Sequence, residues 1–262
     1  MTTWAFYCCF FGIALWEGFS PRVHNSAPFR SRWITNISLG TANLVLFGSL
    51  LSLSEIVRPD WIPPAAESAW QWIGKVPALA FAVAFLLLDF FNYWMHRLFH
   101  AVPALWRLHA IHHADPDLDV STGVRHHPLE NLASLLLTLV LAVTLGVPLS
   151  AIGIYGVVNA AIACIHHGNI ALPAWAEKAV GKVLVTPNVH RIHHSVVVPE
   201  SNLNFGGVFS VWDRLFGTFA SKSALEHSDL YFGLLEFSGV RYCQLHRVLG
   251  MPFSAWPKSV AA

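Results

Sequence analysis

The chain of 262 residues is 55% hydrophobic and 12% charged, with mean hydropathy +0.50, where soluble domains carry about 25% charged residues; the composition is that of a membrane protein. Its 16 basic residues nearly balance 15 acidic ones, so it lacks the field that would hold nucleic acid or an acidic partner. The cysteines Cys8, Cys9, Cys164 and Cys243 show no paired spacing, which argues against a disulfide framework or a thiolate metal site.

Five apolar segments follow in chain order: Trp4 to Phe19, Ile34 to Val57, Val76 to Met95, Leu129 to Leu145 and Pro148 to Ile165. A spanning helix needs about 20 residues, a length the second and third reach and the other three approach. The first begins without a basic stretch and runs into "LWEGFSPR" rather than a small-residue cleavage site, so it reads as an anchor and not as a signal peptide. The tight "GVP" at Gly146 to Pro148 makes the last two segments a helical hairpin, spanning or deeply inserted. Arg22, Arg30 and Arg32 in the first polar loop place that loop in the cytoplasm. Threading from there puts residues 96–128 and 166–262 on the same side, although the loop from Arg58 to Lys75 is basic too. With no repeat or flexible linker, residues 1–262 read as a single membrane domain, the polar part after Ala171 forming a cytoplasmic cap.

Fifteen histidines nearly equal all lysines and arginines together, and most lie between His96 and His194. The third segment ends in "DFFNYWMHRLFH", with His96 and His100 one helical turn apart. Both "LWRLHAIHHAD" (His109, His112, His113) and "TPNVHRIHHS" (His190, His193, His194) spell i, i+3, i+4, a spacing that shares a helix face and is expected to aim three nitrogens at one point. A lone histidine is more often a hydrogen-bonded core residue than a ligand. Eight in three phased clusters on one membrane side are a metal site, and since zinc, for example, takes about four ligands, eight imply two metals.

Imidazole suits zinc, copper, iron and nickel. No helical H-E-x-x-H is present for a zinc hydrolase, and iron with dioxygen suits a site on the rim of apolar helices, open to lipid on one side and to electrons on the other. The competing readings are a membrane metal-binding or transport protein, which would place its ligands at midplane on broken helices, and a structural membrane protein with degenerate motifs.

The strings "YWMHRLFH", "LWRLHAIHHAD", "STGVRHHPLE", "HHGNI", "TPNVHRIHHS" and "NFGGVFSVWDRLFGTF", in this order between Asp89 and Phe219, resemble the fatty acid hydroxylase and sterol desaturase superfamily of integral membrane di-iron oxygenases. "WEGFSPR" followed by "SRWITNISLG" resembles its bacterial members. The resemblance implies an all-α integral membrane protein of four to five transmembrane or deeply inserted helices, with a cytoplasmic helical cap carrying a histidine-rich dimetal site, in a bacterial inner membrane with that site facing the cytoplasm. It adds ligands: the arginine-x-histidine-proline element falls on Arg125, His127 and Pro128, and the histidine-x-asparagine element on His167 and Asn169. Both sit in doublets, so His126 against His127 and His166 against His167 stay open.

The implied ligands are His96, His100, His109, His112, His113, His127, His167, His190, His193 and His194, about five per iron, with no catalytic residue beyond them. Ligating imidazoles donate their other N–H to a carboxylate or carbonyl, a role for which Asp89, Asn169 and Asp213 are candidates. Asp89 lies about two turns deeper than His96 in an apolar span, where a carboxylate is costly and needs a partner. That partner is a histidine or arginine of the site, or a helix–helix hydrogen bond. His24, His227 and His246 lie outside every motif and read as surface or interface residues. The implied reaction is O2-dependent hydroxylation or desaturation of a membrane lipid, whether fatty acyl, sterol or related. Two iron ions serve as cofactors. Electrons come from a separate ferredoxin, or a small cytochrome with its reductase, because the chain has no glycine-rich dinucleotide fingerprint.

Overall fold

A computed structural model describes residues 2–52, 63–223, 230–237 and 239–256. The chain begins with α1 (Thr2–Phe19), α2 (Phe29–Ser52), α3 (Pro64–Ile73) and α4 (Pro77–Ala101). Pro103 has no N–H to continue the ladder of α4 and opens α5 (Pro103–His113). A 3-10 turn, Val120–Val124, is capped by the Asp119 side chain. After it come α6 (Pro128–Leu145) and α7 (Leu149–His167). Five short helices complete the order: α8 (Ala174–Val180), α9 (Pro187–His193), α10 (Val198–Ser201), α11 (Val211–Leu215) and α12 (Leu245–Gly250). Among the described residues there is no strand, only the isolated bridges Leu184 to Phe209 and Ser195 to Phe232.

Among the described residues three helices are long and apolar enough to cross a membrane: α4, α6 and α7. At about 1.5 Å per residue they measure roughly 27 to 37 Å, against a hydrocarbon core of about 30 Å. The α1 stretch Trp4–Phe19 is apolar but shorter. The segment expected at Ile34 to Val57 differs. Its helix starts earlier, at Phe29, and its first half is a polar strut: Arg32 and Asn36 are fully buried and both donate to Asp115 Oδ2, at 3.0 and 2.9 Å. Residues 53–57 of that segment lie outside the described residues. The loop expected between Arg58 and Lys75 contains α3, which starts on a proline in its first turn and whose Trp70 indole donates to Leu145 O at the far end of α6.

The expected hairpin is present. Gly146 takes a left-handed φ of 66°, which glycine adopts without strain, and ends α6 with its N–H on Ala142 O; Pro148 then caps the start of α7. Ala84 and Leu88 of α4, Ala142 of α6 and Ala151, Ile152 and Tyr155 of α7 form one buried cluster, the small residues letting helices approach closely as they do in lipid. Phe81, Leu86, Leu136 and Val140 point outward and exposed. Because α4 and α7 run toward the end from which α6 leaves, His100, His127 and His167 all fall at that end. On it pack α5, α9 and the short helices.

Candidate metal centre

Nine of the histidines on α4, α5, α7 and α9 with its C-cap residue assemble into two groups, within each of which the ring nitrogens lie within 4.8 Å of one another: His96, His100, His109, His113 and His193, and His112, His167, His190 and His194; His109, His126 and Glu130 form a third, smaller group beside the first. The two triple motifs therefore do not each aim at one point, as their spacing alone suggests. At about 100° per residue, i and i+4 sit about 40° apart while i+3 points about 60° to the other side. Each triple is a fork. In α5 the pair His109 and His113 faces the first group and His112 the second; in α9 the pair His190 and His194 faces the second and His193 the first. His113 stacks on His194 at 4.5 Å where the groups meet.

In the second group His167 Nε2 faces the Nε2 atoms of His112, His190 and His194 at 3.0, 2.9 and 3.2 Å. In the first, His96 Nε2 faces His109 Nε2 at 3.1 Å, and the buried Nε2 atoms of His100, His113 and His193 have no hydrogen-bond partner. Where both rings carry the proton on Nδ1, as His96 and His109 do through Phe205 O and Glu130, the facing lone pairs are unfavourable unless a cation lies between them. Two nitrogens about 2.1 Å from one ion at a right angle are ~3 Å apart, so the residues fit a metal in each group.

The opposite ring nitrogens show how the lone pairs are aimed. His96 Nδ1 donates to Phe205 O at 2.8 Å, His193 Nδ1 to Leu203 O at 2.7 Å, His109 Nδ1 to Glu130 Oε1 at 2.7 Å and His167 Nδ1 to Ala163 O at 2.8 Å. Each bond places the proton on Nδ1 and leaves Nε2 free, the usual outer support of a metal-bound imidazole. Burial above all, then the neighbouring imidazoles, holds His112, His113, His190, His193 and His194 well below the ordinary value of 6.5. They stay neutral, the form that ligates.

Leu203 and Phe205 belong to a strap threaded between α4 and α7. A Cβ on Gly207 would lie 2.4 Å from Asn92 Nδ2 and 2.7 Å from Asn159 Oδ1, so any side chain there would have to displace both amides. Asp213 fixes the strap by accepting from Phe205 N, Gly206 N and Thr218 Oγ1 at 2.7, 2.9 and 2.7 Å. It thus acts on His96 through the Phe205 carbonyl. Asp89 meets neither a histidine nor an arginine: it accepts from Tyr155 Oη, Trp212 Nε1 and the Val208 and Phe209 N–H groups, at 2.8 to 3.2 Å. That carboxylate pins the strap and α7 to α4. Asn169 ties the end of α7 to Val23 and accepts from the buried Arg191 at 3.0 Å.

Of the ten expected ligands, nine are in the two groups and His127 is in neither. It is the N-cap of α6, its Nδ1 accepting from Leu129 N at 3.0 Å. Its neighbour His126 lies at the site, stacked on His112 at 4.3 Å and 16° and donating to Glu130 Oε1 at 3.0 Å. In the other doublet His167 is in the second group, while His166 stacks on His190 at 4.0 Å and 9°. Sequence reasoning missed Glu130, which accepts from both His109 and His126; the signal was a carboxylate in the first turn of a helix that starts at the site. The carbonyls of Leu203 and Phe205 carry no side-chain signal at all. Arg125, at the arginine-x-histidine-proline element, is buried and donates to Ile111 O at 2.8 Å and Asn36 Oδ1 at 2.8 Å, locking α5 to α2. His24 and His246 are exposed and outside both groups, and His227 lies outside the described residues.

A family model described as fatty acid hydroxylase matches residues 81–218, a range that holds all nine clustered histidines. Among curated relatives, the chain is 32% identical over 169 residues to ornithine lipid hydroxylase OlsE of Rhizobium tropici, covering 64% of this chain and 50% of that protein. It is 30% identical over 197 residues to alkylglycerol monooxygenase of Homo sapiens, covering 72% of this chain and 38% of that protein. Fatty acid hydroxylase vlmA of Lecanicillium sp is 26% identical over 177 residues, 58% of this chain and 44% of that protein. The chain thus spans half or less of the length of these relatives. No solved structure matches.

Proposed function

From the premise that this chain belongs to the fatty acid hydroxylase family, we propose that it is an O2-dependent di-iron oxidoreductase that hydroxylates an unactivated C–H bond of a membrane lipid. The observation that carries this reading is the pair of buried histidine groups with converging nitrogens. His96, His100, His109, His113 and His193 would hold one ion, and His112, His167, His190 and His194 the other. When bound, two irons would supply the reduction of dioxygen and the oxidising power that C–H cleavage needs. The chain's own part is to hold the imidazoles neutral, keep water out and present the site at the end of three apolar helices, where a lipid can reach it. Hydroxylation is favoured over desaturation because the relatives are named for inserting oxygen, two of them into lipids by name. Electrons come from a separate ferredoxin, or from a small cytochrome with its reductase.

We place the histidine end in the cytoplasm of a bacterial inner membrane. Arg32 is paired with Asp115 and Asp119, so in the first loop the orientation rests on Arg22 and Arg30, joined by Arg97, Arg107, Lys178, Lys182 and Lys222 at the histidine end. After replacement of the exposed Cys8 by serine, a cysteine at the exposed Lys75 should react with an impermeant thiol reagent on intact cells, and one at the exposed Lys222 only after lysis. Labelling of both from one side would reject this threading.

The function is tested by metal analysis of the purified full chain with lipid mass spectrometry of cells expressing it or His193→Ala. Two irons per chain and a lipid heavier by one oxygen, absent with the variant, are expected. A freely exchanging metal without a lipid product would favour transport, and no metal a structural role.

A further inference from the structure

Of the four free cysteines, Cys9 of α1 and Cys164 of α7 meet inside the bundle, although nothing in their sequence spacing pairs them. Helices α1 and α7 run in the same direction with a fixed register: Cys9 Sγ donates to Ala161 O at 3.2 Å, a Cβ on Gly168 would lie 2.7 Å from Ile13 Cγ2, and Glu17 accepts from Asn169 N at 3.0 Å. Ala161 is one turn before Cys164 on the same face of α7. The Cys164 thiol in turn hydrogen-bonds to Cys9, and Phe10, Ile13, Val120 and Ile170 belong to the same packed cluster. By contrast, Cys8 is exposed, and Cys243 is buried beside α2, where Ser31 and Thr35 donate to its carbonyl.

Packing explains one buried cysteine, since a thiol behaves as a small apolar group. Two thiols brought into contact from separate helices are also the arrangement that a two-electron oxidant can join, because a disulfide needs Cβ atoms only about 3.8 Å apart. Such bonds in cytoplasm-facing proteins are mostly transient and redox-sensing. The pair stands beside the second histidine group: Cys164 lies one turn before His167, whose Nδ1 donates to Ala163 O. A centre that reduces dioxygen releases hydrogen peroxide when turnover miscarries, so the oxidant arises close by.

Resting on the function proposed above for the source of that oxidant, we propose that Cys9 and Cys164 are a reversible dithiol, which hydrogen peroxide converts to a disulfide stapling α1 to α7. Cys9 is the half-buried partner and meets the peroxide first, while Cys164 is buried behind it. The Cys9 sulfur attacks the O–O bond and becomes a sulfenic acid, and the displaced hydroxide leaves as water with the thiol proton. Cys164 then displaces the sulfenic hydroxyl, which leaves as a second water with the Cys164 proton. The two thiols lose two electrons, the peroxide gains them, and a soluble dithiol reverses the change by exchange.

The purified, fully reduced chain in non-ionic detergent would be treated with graded hydrogen peroxide, denatured in N-ethylmaleimide, digested without reduction and mapped by mass spectrometry. A cross-linked peptide joining Cys9 to Cys164 is expected at peroxide levels that leave Cys8 and Cys243 alkylated, and dithiothreitol should reverse it. Cys9→Ser keeps a donor for Ala161 O and should abolish the cross-link. Cys164→Ser should strand Cys9 as a sulfenic acid that dimedone captures. The peptide map of the unaltered chain decides the matter even where a variant folds poorly. Cys9 and Cys164 both still alkylated at peroxide that oxidises Cys8, or a cross-link that joins Cys8 instead, would overturn the pair. Because the peroxide is added, iron measured in the same samples separates the two readings: two irons without the cross-link sinks only the dithiol, and the cross-link in a chain without iron sinks only the oxygenase.

Discussion

The two histidine groups reach the same end by different means. The group of His96, His100, His109, His113 and His193 is aimed by directional hydrogen bonds to distant parts of the chain, the Leu203 and Phe205 carbonyls of the strap and the Glu130 carboxylate. The group of His112, His167, His190 and His194 has one such bond, from His167 to a carbonyl of its own helix, and the Nδ1 atoms of His112 and His190 have no partner. These two rings instead lie flat against His126 and His166. The extra member of each doublet thus backs a ring of the second group. One group depends on closure of the strap between α4 and α7; the other depends on the phasing of α5, α7 and α9.

The largest expected break of this contrast comes from Glu130→Ala. It strips the acceptor from His109, leaves a buried N–H unpaired and frees the ring to turn. Loss of such outer support typically costs about 10–100-fold in metal affinity, so if the two groups hold the irons proposed above, chelator titration should remove one of them early and leave the other. His126, the second partner of Glu130, touches the second group only through its stack on His112. Simultaneous loss of both irons would show that the groups do not bind independently.

This asymmetry marks where sequence reading stops. Helical periodicity displays His96 with His100 and both triples without any structure, and the apolar runs yield α4, α6 and α7 nearly intact. The partition of each triple was not legible. An i, i+3, i+4 spelling fans over about 100°, and whether it serves one ion or two depends on what packs on either side. Motif register points to His127 and leaves His126 open; the turn at Arg125 brings His126 to the site and leaves His127 to cap α6. Asp89 reads from sequence as a costly charge in an apolar span, yet its partners, an indole, a phenol and two backbone N–H groups, lie 66 to 123 residues away along the chain. Packing at that sequence distance leaves no periodic trace.

A smaller effect separates stacking from ligation. His126→Ala and His166→Ala each remove a ring worth about 0.5–1.5 kcal/mol of contact. Iron in the second group should then bind roughly 2–10-fold more weakly in both variants, with the first group unchanged. Loss of a whole iron from either variant would make that ring a ligand and enlarge the group of four.

The smallest effect belongs to His127, and it tests the register of the doublet most directly. The ring accepts from Leu129 N and so satisfies one of the donors that the start of α6 leaves open, a bond whose removal costs about 1 kcal/mol. In a chain of this size that shifts the melting temperature by about 2–4 °C. His127→Ala should therefore melt slightly earlier with both irons retained, and His127→Asn, which caps a helix well, should recover most of the difference. The choice between stability and metal is clean because the ring belongs to neither group. Iron lost from His127→Ala and not regained in His127→Asn would return His127 to the ligand set and make His126 the neighbour.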